Sequence, residues 1–233
     1  MRLLCRVILM GFLSLLSACQ SEEDKQAPLL IFSAIYDFNE SDQGWDHGFA
    51  DYPSSPADST LYELRYAYTD TLVITKAVML SGKNINEDLF MFLKKKVTGL
   101  RPDTEYTITF SVELASNVKA NMLDGSVKNV FLKAGATATE PKPFVESGYY
   151  VMNIDKGDQS TNGQDMTTLG EISIPQTSSG YAVITRNNTI ANSRYVAKTS
   201  SNGDLWLIIG TDSGLEGTTT LYYTEIKVVF SAS

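Results

Sequence analysis

The sequence predicts an all-β protein, a single jelly-roll-like β-sandwich of about ten or eleven strands filling residues 29–233. Three observations carry that expectation. Period-two alternation recurs along the chain, most cleanly in Thr104–Leu114. There Tyr106, Ile108, Phe110, Val112 and Leu114 share one face, and Glu105, Thr107, Thr109, Ser111 and Glu113 share the other. Clusters of Gly, Asn, Asp, Ser and Pro punctuate such runs at short intervals, and no long amphipathic helix pattern occurs. The 233 residues, 43% hydrophobic and 20% charged, suffice for one sizeable core.

Residues 1–18 read as a cleaved secretory leader rather than as part of that core. Arg2 and Arg6 flank Val7–Leu16, an apolar stretch too short to span a bilayer, and small residues precede Cys19. Residues 19–28 form a polar tether in which Glu22, Glu23 and Asp24 are consecutive acids. Leu16-Ser17-Ala18-Cys19 resembles the lipobox of bacterial lipoproteins, which implies cleavage before Cys19 and membrane attachment through lipid on its sulfur. The three acids resemble the export signal of surface-exposed lipoproteins of Bacteroidetes, which implies an outer-membrane lipoprotein displayed on the cell surface. Cys5 leaves with the leader, so the mature domain has no disulfide and its core must hold it together. Losing Arg2 and Arg6 deepens the net charge from −8 to −10, which argues against nucleic acid as a partner.

The strands are expected in order. Leu30–Phe38 is the first, followed by a long loop, Asn39–Asp58, rich in Gly, Asp, Pro and aromatics. Tyr62, Leu64, Tyr66 and Tyr68 alternate with Glu63, Arg65, Ala67 and Thr69; Thr71–Leu80 and Asp88–Val97 follow. Lys94, Lys95 and Lys96 in the latter are expected to mark a solvated edge. Val97–Tyr106 carries a G-L-x-P-x-T-x-Y pattern that resembles the strand entry of fibronectin type III and related sandwiches. The resemblance implies a tyrosine corner in which the Tyr106 hydroxyl bonds to nearby backbone. Short strands are then expected at Val127–Ala134, Tyr149–Ile154, Thr167–Ile174, Gly180–Arg186 and Arg194–Thr199. Leu205–Phe230 reads as a closing hairpin: an apolar run containing Trp206, expected in the core, a turn at Gly210–Gly217, and a strand alternating Tyr222, Thr224, Ile226, Val228 and Phe230 against its neighbours.

The catalytic inventory is thin. His47 is the only histidine, which excludes a multi-histidine zinc site, and no thiol remains after the leader for a cysteine nucleophile. Neither a phosphate-binding G-x-x-x-x-G-K-[ST] nor a dinucleotide-binding G-x-G-x-x-G occurs. A carboxylate pair for a glycan-active enzyme stays open, since acids are plentiful. Asp155, Asp158, Asn162 and Asp165 share one glycine-bearing loop whose oxygens suit Ca2+, although such loops are also ordinary solvated turns; Asp212 and Glu216 pose the same choice. Trp45, His47, Phe49 and Tyr52, with Asp46 and Asp51 beside them, are the best candidate for a glycan platform. The alternative is that the loop folds over a sheet and buries its aromatics.

Tyr36–Trp45 near the start and Leu221–Val229 at the close resemble the first and last strands of carbohydrate-binding-module jelly rolls. That resemblance implies glycan binding and a structural calcium held by acids of those strands, here Asp37 and Glu225. Asp58-Ser59-Thr60 and Asp70-Thr71-Leu72 resemble the O-glycosylation acceptor of exported Bacteroidetes proteins, at Ser59 and Thr71. The functional expectation is a lipid-anchored surface sandwich that binds glycan or another extracellular ligand without catalysis. A structural or adhesive protein contacting other proteins, and a glycan-active enzyme, are the alternatives.

Overall fold

The computed structural model describes residues 31–70, 76–119, 129–189 and 194–232. The leader, Cys19, the acidic tether and Thr71 lie outside the described residues. The strands are β1 (Ile31–Asp37), β2 (Asp46–Ala50), β3 (Tyr52–Pro53), β4 (Arg65–Asp70), β5 (Lys76–Asn84), β6 (Leu89–Val97), β7 (Glu105–Ser116) and β8 (Val130–Thr137). They continue with β9 (Pro143–Glu146), β10 (Tyr149–Met152), β11 (Met166–Glu171), β12 (Ala182–Asn187), β13 (Tyr195–Lys198), β14 (Leu205–Ser213) and β15 (Gly217–Ala232). Between β3 and β4 lie one helical turn, α1 (Pro56–Ser59), and a 3₁₀ turn over Thr60–Tyr62.

Two antiparallel sheets face each other, as an all-β sandwich requires. The seven-stranded sheet is built on β15. β7 pairs along one edge of β15, and β5 and then β1 pair along the other. β12 and β13 pair with the far edge of β7, and β4 with β5. The five-stranded sheet runs β11-β8-β14-β6-β2. The core between them takes alternate residues from each strand, and β7 buries Tyr106, Ile108, Phe110, Val112 and Leu114 as its alternation predicts. The Tyr106 hydroxyl accepts the backbone N–H of Arg101 at 3.0 Å, closing the predicted corner.

Four expectations change. The closing hairpin does not form, because β14 pairs with β6 and β8 while β15 belongs to the other sheet. Gly214–Glu216 is a crossover between sheets. Buried Asn84 holds it: its amide donates to the carbonyls of Ser213 at 2.7 Å and Leu215 at 3.0 Å, and its Oδ1 accepts the N–H of Asp88 at 3.2 Å. Second, β15 does not keep one face from Tyr222 to Phe230. A register shift between Tyr223 and Glu225 puts Leu221 and Tyr223 inward before it and Ile226, Val228 and Phe230 inward after it. The shift, on the β7 edge, falls where the partner on the opposite edge changes from β5 to β1.

Third, the lysine run is not an edge, since β6 lies between β14 and β2. Lys94 is 7% exposed, its Nζ 2.6 Å from the Glu140 carboxylate and 5.6 Å from the centre of the Trp206 ring. Lys95 donates to the Gln43 carbonyl at 2.6 Å, and Lys96 pairs with Asp204 at 2.8 Å. Trp206 is half-buried beneath Lys94 rather than a core residue. Fourth, the Asn39–Asp58 loop contains β2, β3 and the start of α1, so it is partly regular structure rather than one long loop.

The outer face of the five-stranded sheet is not bare. β3, β10 and β9 make a small third sheet beside it. Ala50, Phe90, Phe92, Met152, Met166 and Ile208 form a second core, with Ile154 packed against it. The rings of Phe90 and Phe92 lie directly over Gly210 and Gly48, where a Cβ would collide with them.

Two stability measurements follow. Tyr106→Phe should cost about 1 kcal/mol in urea unfolding, the worth of one buried hydrogen bond, whereas Thr107→Val on the wet face should stay within about 0.5 kcal/mol. Gly210→Ala should cost about 1–3 kcal/mol by overpacking against Phe90. A wild-type midpoint for Gly210→Ala would mean that the second core is loose.

Candidate functional site

The expected glycan cluster is taken apart by the fold. Trp45 is core, 3% exposed, with its ring edge-on to Tyr36 and Phe38. Asp46 is exposed, and its carboxylate lies 3.7 Å from Lys94 Nζ. His47 stacks on Tyr66 with ring centres 3.8 Å apart, and burial holds its pKa below the usual value against the pull of Asp46. Phe49 packs against the main core. Asp51 turns inward to Lys156, 3.0 Å away. The folded-over alternative therefore describes most of these residues, and Tyr52 is the one that reaches an open groove.

That groove, about 330 Å³, is lined by Tyr52, Ser59, Thr60, Glu63 and Leu64. Its wall is the helical turn between β3 and β4. Ser55 caps α1 by accepting the N–H of Asp58 at 3.3 Å while donating its hydroxyl to the Asp58 carboxylate at 2.6 Å. Glu63 ends the 3₁₀ turn in the left-handed region (φ 48°), and its carboxylate lies 3.8 Å from Lys83 and 4.0 Å from Arg65. The Tyr52 ring is fixed between Tyr62 and Tyr150, with centres 5.6 and 5.0 Å away. Burial raises the hydroxyl pKa of both Tyr52 and Tyr62, and an ordinary tyrosine is already protonated at neutral pH, so each hydroxyl can donate there. An aromatic wall with hydroxyls and a carboxylate around it offers one stacking face and several hydrogen bonds. Ser59 is half-buried in this wall and donates to the Pro56 carbonyl at 3.4 Å, instead of standing free on a loop.

The expected calcium ligands are divided among separate places. Asp37 and Glu225 are direct cross-strand partners, but Asp37 accepts two bonds from Asn39, at 2.9 and 3.0 Å, and Glu225 pairs with Lys227 at 2.8 Å. In the 155–165 loop, Asp155 accepts the N–H groups of Gly157 and Gln164 at 3.0 Å each, which lowers its pKa. Asp165 accepts the N–H of Asp155 at 2.8 Å, and Asn162 that of Thr168 at 2.7 Å. These three side chains fold the loop onto itself. Asp158 alone reaches elsewhere, to Asp88 and Asp212, where one carboxylate oxygen from each residue lies within 4.8 Å of the others.

Asp212 and Lys133 are fully enclosed on the outer face of the five-stranded sheet. Asp212 Oδ2 accepts from Lys156 Nζ at 2.7 Å and from the Gln159 N–H at 3.0 Å, with Lys133 Nζ 3.8 Å away. Lys133 donates to the Thr161 carbonyl at 2.8 Å, and burial brings its pKa down to about 8. Burial, reinforced by Asp51, pushes the Asp88 carboxyl up to about 6. For Lys156, burial works against the charged form, but Asp212 and Asp51 outweigh it and the pKa rises. Asp88, Lys133 and Lys156 were not foreseen. The available signal was a lone charge at an outward position of two apolar strands, Lys133 in VFLKAGAT and Asp212 in LWLIIGTDS. The groove residues Thr60, Glu63 and Leu64 carry no such mark.

No protein-family model matches the chain, and no curated protein is recognisably similar to it in sequence. Three of the solved structures to which the chain is similar are as follows. A bacteriophage CBA120 tailspike protein 4 domain, described as enzymatically active, matches at 8% identity over 78% of this chain with a TM-score of 0.36. This chain spans only 19% of that one. The mannan-recognising carbohydrate-binding module TmCBM27 matches at 13% identity over 86% of this chain and 98% of its own, with a TM-score of 0.41. The K1 cleaved adhesin domain of Lys-gingipain from Porphyromonas gingivalis matches at 9% identity over 84% and 97%, with a TM-score of 0.35. Function is argued from this chain's own residues.

Proposed function

We propose that this protein is a non-catalytic glycan-binding sandwich, held on the outer membrane by lipid on Cys19 and displayed at the cell surface. The observation that carries the binding reading is the Tyr52 groove. It combines an aromatic wall of fixed orientation with Ser59, Thr60 and Glu63 as hydrogen-bonding groups. A sugar ring offers an apolar face and a rim of hydroxyls, which such a wall complements. The volume of about 330 Å³ is at the small end for ligand sites, which suits one or two sugar units. The address rests on the Leu16–Cys19 motif and on the three acids that follow it.

A second reading, adhesion to other proteins, draws on β1. Among the described residues β1 pairs only with β15, and it presents Ile31, Phe32 and Ile35 at 66, 45 and 61% exposure. An apolar edge strand is a surface on which another chain's strand can add.

The purified protein on a glycan array separates the two. We expect binding to a limited set of oligosaccharides, weakened at least about tenfold by Tyr52→Ala, the loss of ~1.4 kcal/mol. Thr60→Val, at an exposed position, should weaken it without lowering the melting temperature. A blank array, or binding indifferent to both changes, would sink the glycan reading and leave the β1 edge as the surface to test. For the address, Cys19→Ala should release the protein from the membrane fraction. Changing Glu22, Glu23 and Asp24 to Ala should keep the anchor but hide the protein from added protease. Retention of the Cys19→Ala protein in membranes would refute the anchor, and unchanged protease access would refute the export signal.

A further inference from the structure

We propose that Asp88, Asp158 and Asp212 hold one hard divalent cation, with Ca2+ as the occupant, in a site separate from the Tyr52 groove. One carboxylate oxygen from each lies within 4.8 Å of the other two. Ca2+ takes oxygen ligands at about 2.3–2.6 Å, so two ligands on opposite sides of it are about 4.6–5.2 Å apart. Mg2+ demands a near-octahedral shell at about 2.0–2.1 Å and keeps much of its water, whereas Ca2+ accepts the flexible geometry that three carboxylates from separate segments offer. The donors are all carboxylate oxygens, the set that suits Ca2+ and Mg2+ rather than zinc or copper.

An acidic cluster alone would not carry this. The second observation is Asp212 itself. Its side chain is fully enclosed, Oδ2 takes the bonds from Lys156 and Gln159, and Oδ1 has no hydrogen-bond partner. A buried carboxylate oxygen without a partner is costly, and a cation is the ligand that satisfies it. The local charges agree. Asp51, Asp88, Asp158 and Asp212 outnumber Lys133 and Lys156, leaving an excess of negative charge that a cation offsets. Lys156 does not replace that ion: its close carboxylate contacts are to Asp51 and Asp212, at 3.0 and 2.7 Å.

The ligands come from three places that the fold brings together. Asp88 follows the β5-to-β6 crossover, where Asn84 Oδ1 accepts its N–H at 3.2 Å. Asp212 lies on β14, paired opposite Phe90. Asp158 comes from the covering loop and is exposed, which leaves a path for the ion. The bound ion would therefore tie the covering loop to the sandwich, a different role from the calcium between first and last strands that Asp37 and Glu225 suggested.

The test is calcium titration of the chelator-treated, full-length protein by calorimetry, with melting curves beside it. We expect one saturable site, a melting temperature that rises with calcium, and affinity for Mg2+ at least about tenfold weaker. Asp158→Asn, at an exposed position, should weaken calcium binding at least about tenfold and leave the metal-free melting temperature near wild type. Glu216→Gln, at an exposed acid of the β14–β15 crossover outside the cluster, should keep wild-type affinity. No saturable binding, or equal affinity in Asp158→Asn, would overturn the site. Loss of binding in Glu216→Gln would move the ion to the crossover, and equal response to Mg2+ would overturn the calcium assignment.

Discussion

Two charges with no exposed surface, Lys133 and Asp212, impose the condition that the covering half of this protein meets. They occupy outward positions on adjacent strands, β8 and β14, where an uncovered sheet would leave them in water. Once covered, neither can stay charged without partners, because an unpaired buried ion costs several kcal/mol. The 155–165 loop supplies those partners: Lys156 Nζ and the Gln159 N–H for Asp212, and the Thr161 carbonyl for Lys133. The loop in turn is closed by its own acids, Asp155 and Asp165, which accept backbone N–H groups. Loop conformation and buried charge thus specify each other.

The covering layer decides which surfaces remain for recognition. Phe90 and Phe92 point out of the five-stranded sheet and would form an apolar platform if bare, but both are almost fully buried. Glycines at 48 and 210 let their rings lie flat on the sheet, and Met152, Ile154 and Met166 close over them. A ligand cannot use that face. One surface that remains open is the flank, where the β3–β4 connection and the small third sheet present Tyr52, Ser59, Thr60 and Glu63.

Sequence reading succeeded where one rule acted alone. The strand Thr104–Leu114 is flanked on both sides by other strands and buries alternate residues without interruption, so period two survives, and the Tyr106 corner is local in sequence. It failed where non-local pairing decided the outcome. Gly210–Gly217 looked like a hairpin turn because a sheet-to-sheet crossover has the same composition, and only the partners of β14 and β15 tell them apart. The bulge near Thr224 reverses the faces of β15 without any Gly or Pro to mark it. The lysine run misled because charge usually means solvent, whereas Lys94 is held by Glu140 from a distant loop. The site suffered most. Asp88, Asp158 and Asp212 are spread over more than a hundred residues, so their meeting is a property of topology rather than of spacing.

The charged cluster and the groove are mechanically joined through two consecutive residues. Asp51 stands in the left-handed region (φ 65°), a conformation that costs free energy for a residue with a Cβ and that surrounding contacts must hold. Those contacts are on both sides. Its carboxylate meets Lys156 at 3.0 Å, its N–H donates to the Tyr150 carbonyl at 2.6 Å, and its carbonyl accepts from Asn86 at 3.3 Å. The turn at Asp51 is what directs the next residue, Tyr52, out of the sheet plane and into the groove, and Tyr150 then pairs with it across β10 and β3. A ring fixed in this way loses little freedom when a ligand stacks on it, so less of the contact energy is spent on ordering the site. The orientation of the groove's aromatic wall is therefore inherited from the ion pairs beneath it.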